Sequence, residues 1–153
     1  MTSARSVLLY DTTLRDGMQR EGMSVSVDEK VRIAVRLADL GVQFVEGGFP
    51  GSNPKDEEFF AKVQQEKLGS TEIVVFGTTR AKGVQAKKDV HLRPLVECWA
   101  PVVAVVGKTW DLHIEKVLRV DREENLHMIA DSVGYLKGQG KRVFYDAEHF
   151  FDG

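Results

Sequence analysis

Val7-Leu8-Leu9-Tyr10-Asp11-Thr12-Thr13-Leu14-Arg15-Asp16-Gly17 sets the reading of the whole chain, because a short apolar run ends there abruptly in a polar string. Short apolar runs bounded by turn residues suit strands buried on both faces. The period then changes: Val31, Ala34, Val35 and Ala38 follow the i, i+3, i+4, i+7 spacing of a helix face. Ser26 and Glu29 form a capping box ahead of that face, and Gly41 stands where a left-handed C-terminal cap is wanted. The first forty residues thus read as a strand, a polar loop and a helix.

The same unit recurs outward from this stretch. Val42 to Glu46 reads as a second strand, with Asn53-Pro54 as N-cap and first position of a helix that turns Phe59, Phe60 and Val63 inward. Glu72 to Phe76 is a third strand, followed by a less regular helical stretch broken near Pro94, and Val102 to Val106 a fourth. A helix starting near Asp121, with Glu124 three residues on, shows Leu126, Ile129, Ala130 and Val133 on one face. Val143-Phe144-Tyr145 opens a fifth strand. Strand starts spaced by roughly 30 residues or more are those of βαβ units, so an α/β chain with parallel strands is expected. An open doubly wound sheet and part of a (β/α)8 TIM barrel both fit. A complete barrel takes about 250 residues, so a chain of 153 residues holds only about four and a half of its eight units.

Composition narrows the function classes. The 21 Lys+Arg against 23 Asp+Glu give a formal charge of −2 without any long block of one sign, which points to neither a nucleic-acid nor an acidic-membrane partner. Cys98 is the lone cysteine, so no internal disulfide forms; a small buried hydrophobe in a reducing compartment is expected. No apolar run approaches the roughly 20 residues of a membrane span, and Met1 to Arg5 is not followed by a signal-peptide core. These features read as one soluble, cytoplasmic domain.

In either architecture the chemistry gathers at the C-terminal ends of the strands. Arg15 beside Asp16 is the most suggestive pair there. A carboxylate ligates a hard divalent cation, and a guanidinium clamps a carboxylate or offsets charge on a developing enolate oxygen. The bland alternative is a surface ion pair or a turn-capping aspartate. Glu46 reads equally as a solvated strand-end carboxylate or a catalytic group, and Glu148 as a general base, the orienter of one, or part of a frayed terminus. His91, His113, His127 and His149 show no close metal-ligand spacing. Gly47-Gly48 belongs to no phosphate-binding motif and reads as a tight turn.

Asp11 to Gln19 closely resembles the D-T-T-L-R-D-G-x-Q signature of the Claisen-condensing and retro-aldol metallolyases built on (β/α)8 barrels. That family includes citramalate, 2-isopropylmalate and homocitrate synthases, and more distantly hydroxymethylglutaryl-CoA lyase. With Glu46 to Lys55, Gly107 to His113 and Tyr145 to Gly153, the chain looks most like the (R)-citramalate synthase branch from about residue 6 to its end. The resemblance implies Asp16 as a metal ligand and Arg15 as the residue that stabilises the enolate or holds the keto acid. It also implies Gln19, Glu46 and His113 as substrate contacts and Glu148 as a catalytic glutamate. The co-substrates implied are acetyl-CoA and a 2-keto acid, pyruvate favoured, with Mg²⁺, Mn²⁺ or Zn²⁺ as cofactor and a homodimer as the full-length assembly. Relatives complete the metal site with an H-x-H pair, and no H-x-H occurs in this sequence. An inactive N-terminal half is therefore expected. The rival readings are a lyase of the hydroxymethylglutaryl-CoA type and a non-catalytic half-barrel assembly module.

Overall fold

Five parallel strands pair in the order in which the chain makes them: β1 (Tyr10–Asp11), β2 (Phe44–Gly48), β3 (Glu72–Thr78), β4 (Val102–Lys108) and β5 (Arg142–Glu148). A computed structural model describes residues 7–153; the Met1 to Arg5 stretch read above for a signal peptide lies outside the described residues. Sequential order excludes the doubly wound sheet, whose strand order reverses at a switch point. What remains is a curled half-barrel with helices α1 (Val27–Asp39), α2 (Pro54–Val63), α3 (Arg93–Glu97) and α5 (Arg122–Gly138) in the connections. The short α4 (Asp111–His113) runs into a wide turn over Ile114–Leu118.

Strand alternation divides the side chains between two faces. Val45, Ile73, Val75, Val103 and Val105 pack under the helices with Ala34, Phe59, Phe60, Val63, Leu95 and Leu136. Phe44, Val74, Val102 and Ala104 share the other face with Tyr10, Phe76 and Phe144. The helix caps are as expected: Ser26 and Glu29 close a reciprocal capping box, the Asn53 side chain accepts from Asp56 N, and Gly41 takes φ +80°. Pro94 lies in the first turn of α3 and so starts that helix, where its missing N–H costs nothing, instead of breaking one. Cys98 is partly buried against the helix-side core.

Three further expectations are corrected. Val7, Leu8 and Leu9 are exposed, not buried on both faces: they precede β1, which starts at Tyr10 and has β2 as its one neighbour. Gly47 and Gly48 are not a turn but the end of β2. A Cβ on Gly47 would stand 2.6 Å from the Phe59 ring, and one on Gly48, at φ +123°, 2.6 Å from the Asp56 carboxylate. Glycine there lets α2 lie directly on the strand. Asp56 also pairs with the buried Lys30 at 2.6 Å and accepts from Phe49 N at 3.0 Å, which ties α1, α2 and the end of β2 together.

The third correction concerns α5. Its buried residues are Asn125, Met128, Ser132 and Leu136, while Leu126 is 64% exposed and Ala130 is exposed. Two of the buried positions are polar: Ser132 is bonded on both sides, and Asn125 is bonded through Nδ2 while its Oδ1 has no partner among the described residues. Asn125 Nδ2 donates to Lys108 O at 2.9 Å, and Ser132 Oγ accepts from Arg80 N at 2.8 Å and donates to Met128 O at 2.6 Å. Apolar periodicity is blind to a face that docks through hydrogen bonds. Leu136→Ala is expected to lower stability by about 2–5 kcal/mol and Leu126→Ala by less than about 0.5 kcal/mol, measured by equilibrium urea unfolding. Equal losses would restore the face that periodicity favours.

Candidate active site

On one face of the sheet Val74, Val102 and Ala104 give way, toward the C-terminal ends of β4 and β5, to Lys108, Asp146 and Glu148. Val74 and Val102 are fully buried, and Tyr10, Phe44 and Phe144 form an aromatic cluster above them with centroids 5.1–6.2 Å apart. At the C-terminal ends the same face opens into a cavity of about 720 Å³. Arg15, Asp16, Gln19, Glu46 and Glu148 all line it, together with Lys108 and Asp146. Glu148 is the last residue of β5 and not a frayed end, because that strand runs three residues beyond Tyr145.

The loop after β1 builds the first half of the site. Asp11 turns the chain by accepting from Thr13 N at 2.9 Å and Thr13 Oγ1 at 3.1 Å, and Thr12 O accepts from the backbone N–H of Arg15 and Gly17. Arg15 is thereby aimed at β2. Its Nε donates to Glu46 Oε1, its Nη1 lies 3.1 Å from Asp16 Oδ1, and its guanidinium sits 4.0 Å above the Phe76 ring. Tyr10 Oη donates to the other Glu46 oxygen at 2.5 Å. Glu46 is only 2% exposed, so the solvated-carboxylate reading fails; ionised at that depth, it needs both partners. Asp16, with its side chain 62% exposed, is the carboxylate of the group that stands in the open.

The second half comes from β4 and β5. Lys108 and Glu148 are partners in register, and Lys108 Nζ donates to Glu148 Oε2. The Lys108 hydrogen bond, opposed by burial, holds the Glu148 carboxyl below the usual glutamate range, with the Lys108 charge adding to the effect. His113 does not line the cavity. It packs one layer out, with its ring 4.8 Å from Trp110 and 4.7 Å from His149, and its buried Nδ1 has no partner among the described residues. Sequence spacing thus missed a histidine pair, although no group of three or more His, Cys, Asp or Glu that could hold a metal occurs among the described residues. Arg80, another strand-end residue, is turned away into an ion triad with Glu124 at 3.1 Å and Asp131 at 2.8 Å, which braces α5.

Tyr10 lines the cavity without having been singled out in the sequence, and Lys108 entered there only as part of the Gly107 to His113 segment. Tyr10 closes an apolar run and reads as core. Lys108 gains meaning only from the register that sets it opposite Glu148. Four carboxylates (Asp16, Glu46, Asp146, Glu148) line the cavity against two cations (Arg15, Lys108), a formal excess of two negative charges.

The HMGL-like family model matches residues 6–152. The chain is 51% identical to an (R)-citramalate synthase of Geobacter sulfurreducens over 96% of its own length and 28% of that relative. It is 36% identical to a 2-isopropylmalate synthase of Sulfolobus acidocaldarius, over 95% of the chain and 36% of the relative. The structure resembles that of the Bacillus subtilis HMG-CoA lyase with a TM-score of 0.70 and 16% identity, over 95% of this chain and 47% of that one. The chain therefore spans less than a third of the first relative's length and just under half of the lyase chain. No helix among the described residues is long and apolar enough to cross a membrane.

Two outcomes test this geometry. Arg15→Met leaves the Glu46 carboxylate buried with Tyr10 alone and is expected to cost about 3–5 kcal/mol, while Arg15→Met with Glu46→Met together recovers most of the loss. A double-mutant cycle in urea reads both. Burial, then the Glu46 hydrogen bond and charge, raises the Tyr10 pKa far above its ordinary 10.0, and burial raises that of Tyr145. A raised folded pKa means that this stabilisation is complete below pH 10 and falls away as pH rises beyond it, where only the unfolded phenol ionises. Tyr10→Phe is expected to flatten that alkaline loss in denaturation series across pH.

Proposed function

Because the chain belongs to the HMGL-like family, we propose that its strand-end cavity is the N-terminal part of a site that condenses acetyl-CoA with a 2-keto acid, pyruvate favoured. The observation that carries this reading is the fixed guanidinium of Arg15. It is locked by Glu46 and Asp16 and backed by Phe76 at the mouth of the half-barrel. A planar cation held in that way is prepared to receive an oxyanion without reorganising as charge develops.

The chemistry asked of the site is proton removal from the acetyl methyl, attack of the resulting enolate on the keto carbon, and hydrolysis of the thioester. Arg15 offsets the negative charge on oxygen, and Gln19, at the end of the turn Asp16–Gln19, offers an amide to the substrate. Glu148, kept ionised beside Lys108, acts as an acceptor and not as an acid. His113, one layer out from the cavity, bears on the substrate only through its charge on Glu148. Asp16 would contribute one anionic ligand to a Mg²⁺, Mn²⁺ or Zn²⁺ ion, which supplies Lewis acidity at the keto carbonyl when bound. This chain is then the first half of a catalytic barrel, cytoplasmic and homodimeric in its complete form. Its further metal ligands and the rest of the coenzyme A site are supplied by segments present in the longer relatives.

The test joins this chain to the C-terminal portion of a citramalate synthase and measures thiol release from acetyl-CoA with pyruvate and Mn²⁺. Release by the joined halves and none by the chain alone is expected. Cleavage of hydroxymethylglutaryl-CoA without condensation would favour the lyase reading. Asp16→Asn is expected to weaken Mn²⁺ binding about tenfold or more in calorimetry. Arg15→Lys is expected to spare metal affinity and lower kcat about 100-fold. Normal turnover by Arg15→Lys would remove the assigned role of the guanidinium.

A further inference from the structure

Lys108 lies in the Gly107 to His113 segment without a role assigned to it there, yet its place in the cavity wall is closely constrained. Residues 104, 106 and 108 of β4 and 144, 146 and 148 of β5 point to the same face, and the Cα register sets Lys108 directly beside Glu148. The backbone on either side is pinned. The buried Asn125 donates to Lys108 O at 2.9 Å, and Thr109 Oγ1 donates to Glu148 O. Between them Gly107 admits the Tyr145 ring, which a Cβ there would meet at 2.7 Å. The two side chains are therefore delivered to each other by fixed strand ends, unlike a flexible surface pair, whose worth is dissipated in side-chain entropy.

We propose that Lys108 is a positioning residue of the condensation site: through its ion pair with Glu148 it holds one carboxylate oxygen and leaves the other, Oε1, as a fixed acceptor at the cavity mouth. The proposal rests on the reading of the cavity given above and deepens it. Its logic parallels Arg15 and Glu46, where a cation from one strand end also fixes a carboxylate from another. Around Glu148 the facing ionisable groups are Lys108 from β4, His113 from α4, His149 beyond β5, and Asp146 two residues earlier on β5. Lys108 makes the direct contact, and its charge lowers the proton affinity of Glu148 more than either histidine does. A carboxylate so held accepts a hydrogen bond from a hydroxyl or water throughout the neutral range and cannot donate one.

The experiment follows the Glu148 side-chain carboxyl by ¹³C NMR titration of the 153-residue chain. In the wild type its midpoint is expected below the ordinary 4.5; a midpoint at or above that value overturns the proposal without the need for any variant. Lys108→Met is expected to raise proton affinity about tenfold, near one pH unit, and Lys108→Arg to restore the wild-type midpoint. An unmoved midpoint in folded Lys108→Met overturns it. In the joined halves, Lys108→Met is expected to lower kcat and shift the acidic limb of the kcat profile upward with the pyruvate KM retained, and Lys108→Arg to recover both. A raised KM with unchanged kcat would make Lys108 a substrate contact and overturn the positioning role. If the joined wild type fails to condense while the titration still depends on Lys108, the proposed reaction falls and the pairing stands.

Discussion

A carboxylate buried to 2% exposure organises this half-barrel. Glu46 sits on the inner face of β2, almost wholly shielded by its neighbours, and its two oxygens are answered by side chains from elsewhere. Tyr10 answers from β1 and Arg15 from the loop beyond it, so the edge strand and its turn are drawn onto the sheet by one charge. Because Arg15 reaches Glu46 through Nε, its flat face is left to lie on Phe76 of β3 and its Nη1 to meet Asp16. Three strand ends and the motif loop are fixed by one anion. Losing the cation would strand the anion, and losing the anion would free the cation from the pose in which it is useful.

The glycines at the end of β2 serve the same constraint from the other side. Helix α2 must come close enough for Phe59 and Phe60 to close the core behind Glu46, and side chains at 47 and 48 would hold it off. Asp56, seated where a Cβ of Gly48 would be, then receives the buried Lys30 from α1. A buried carboxylate in front of the strand and a buried ion pair behind it leave β2 little freedom to slide. The register irregularity between Glu46 and Gly48 marks where the strand yields to satisfy both.

How much of this was legible follows from the kind of signal each feature leaves. Strands and the first two helices announce themselves by apolar period and by caps, and Ser26, Asn53 and Gly41 do in the structure what their chemistry predicts. The site loop was legible through a resemblance, since nothing in the local pattern of Arg15 and Asp16 separates a poised guanidinium from a surface ion pair. Only the depth of Glu46 and the ring of Phe76 do that, and both are tertiary facts. The inner face of α5 was illegible because Asn125 and Ser132 dock by hydrogen bonds, while Leu126 offers a period without a partner. The apolar Val7 to Leu9 misled for a related reason: periodicity reports what a residue prefers, whereas burial depends on whether a neighbour arrives. Tyr10 and Lys108 needed pairing register, which a single sequence does not carry.

The balance of charge in the cavity indicates how such a site would operate. Both cations are already committed, Arg15 to Glu46 and Asp16, Lys108 to Glu148, and carboxylates outnumber cations by two. By formal charge alone this wall offers no net attraction to an anionic keto acid. Its contribution is preorganisation. Each cation is held by a carboxylate that fixes its direction and shares its charge, so the remaining N–H donors and Oε1 of Glu148 face the cavity in set positions. In the proposed reaction a divalent ion, if Asp16 held one, would supply the positive charge that these residues have already committed to one another. The residues do what a lone ion cannot, giving the bound molecule one orientation and the developing oxyanion a donor already in place.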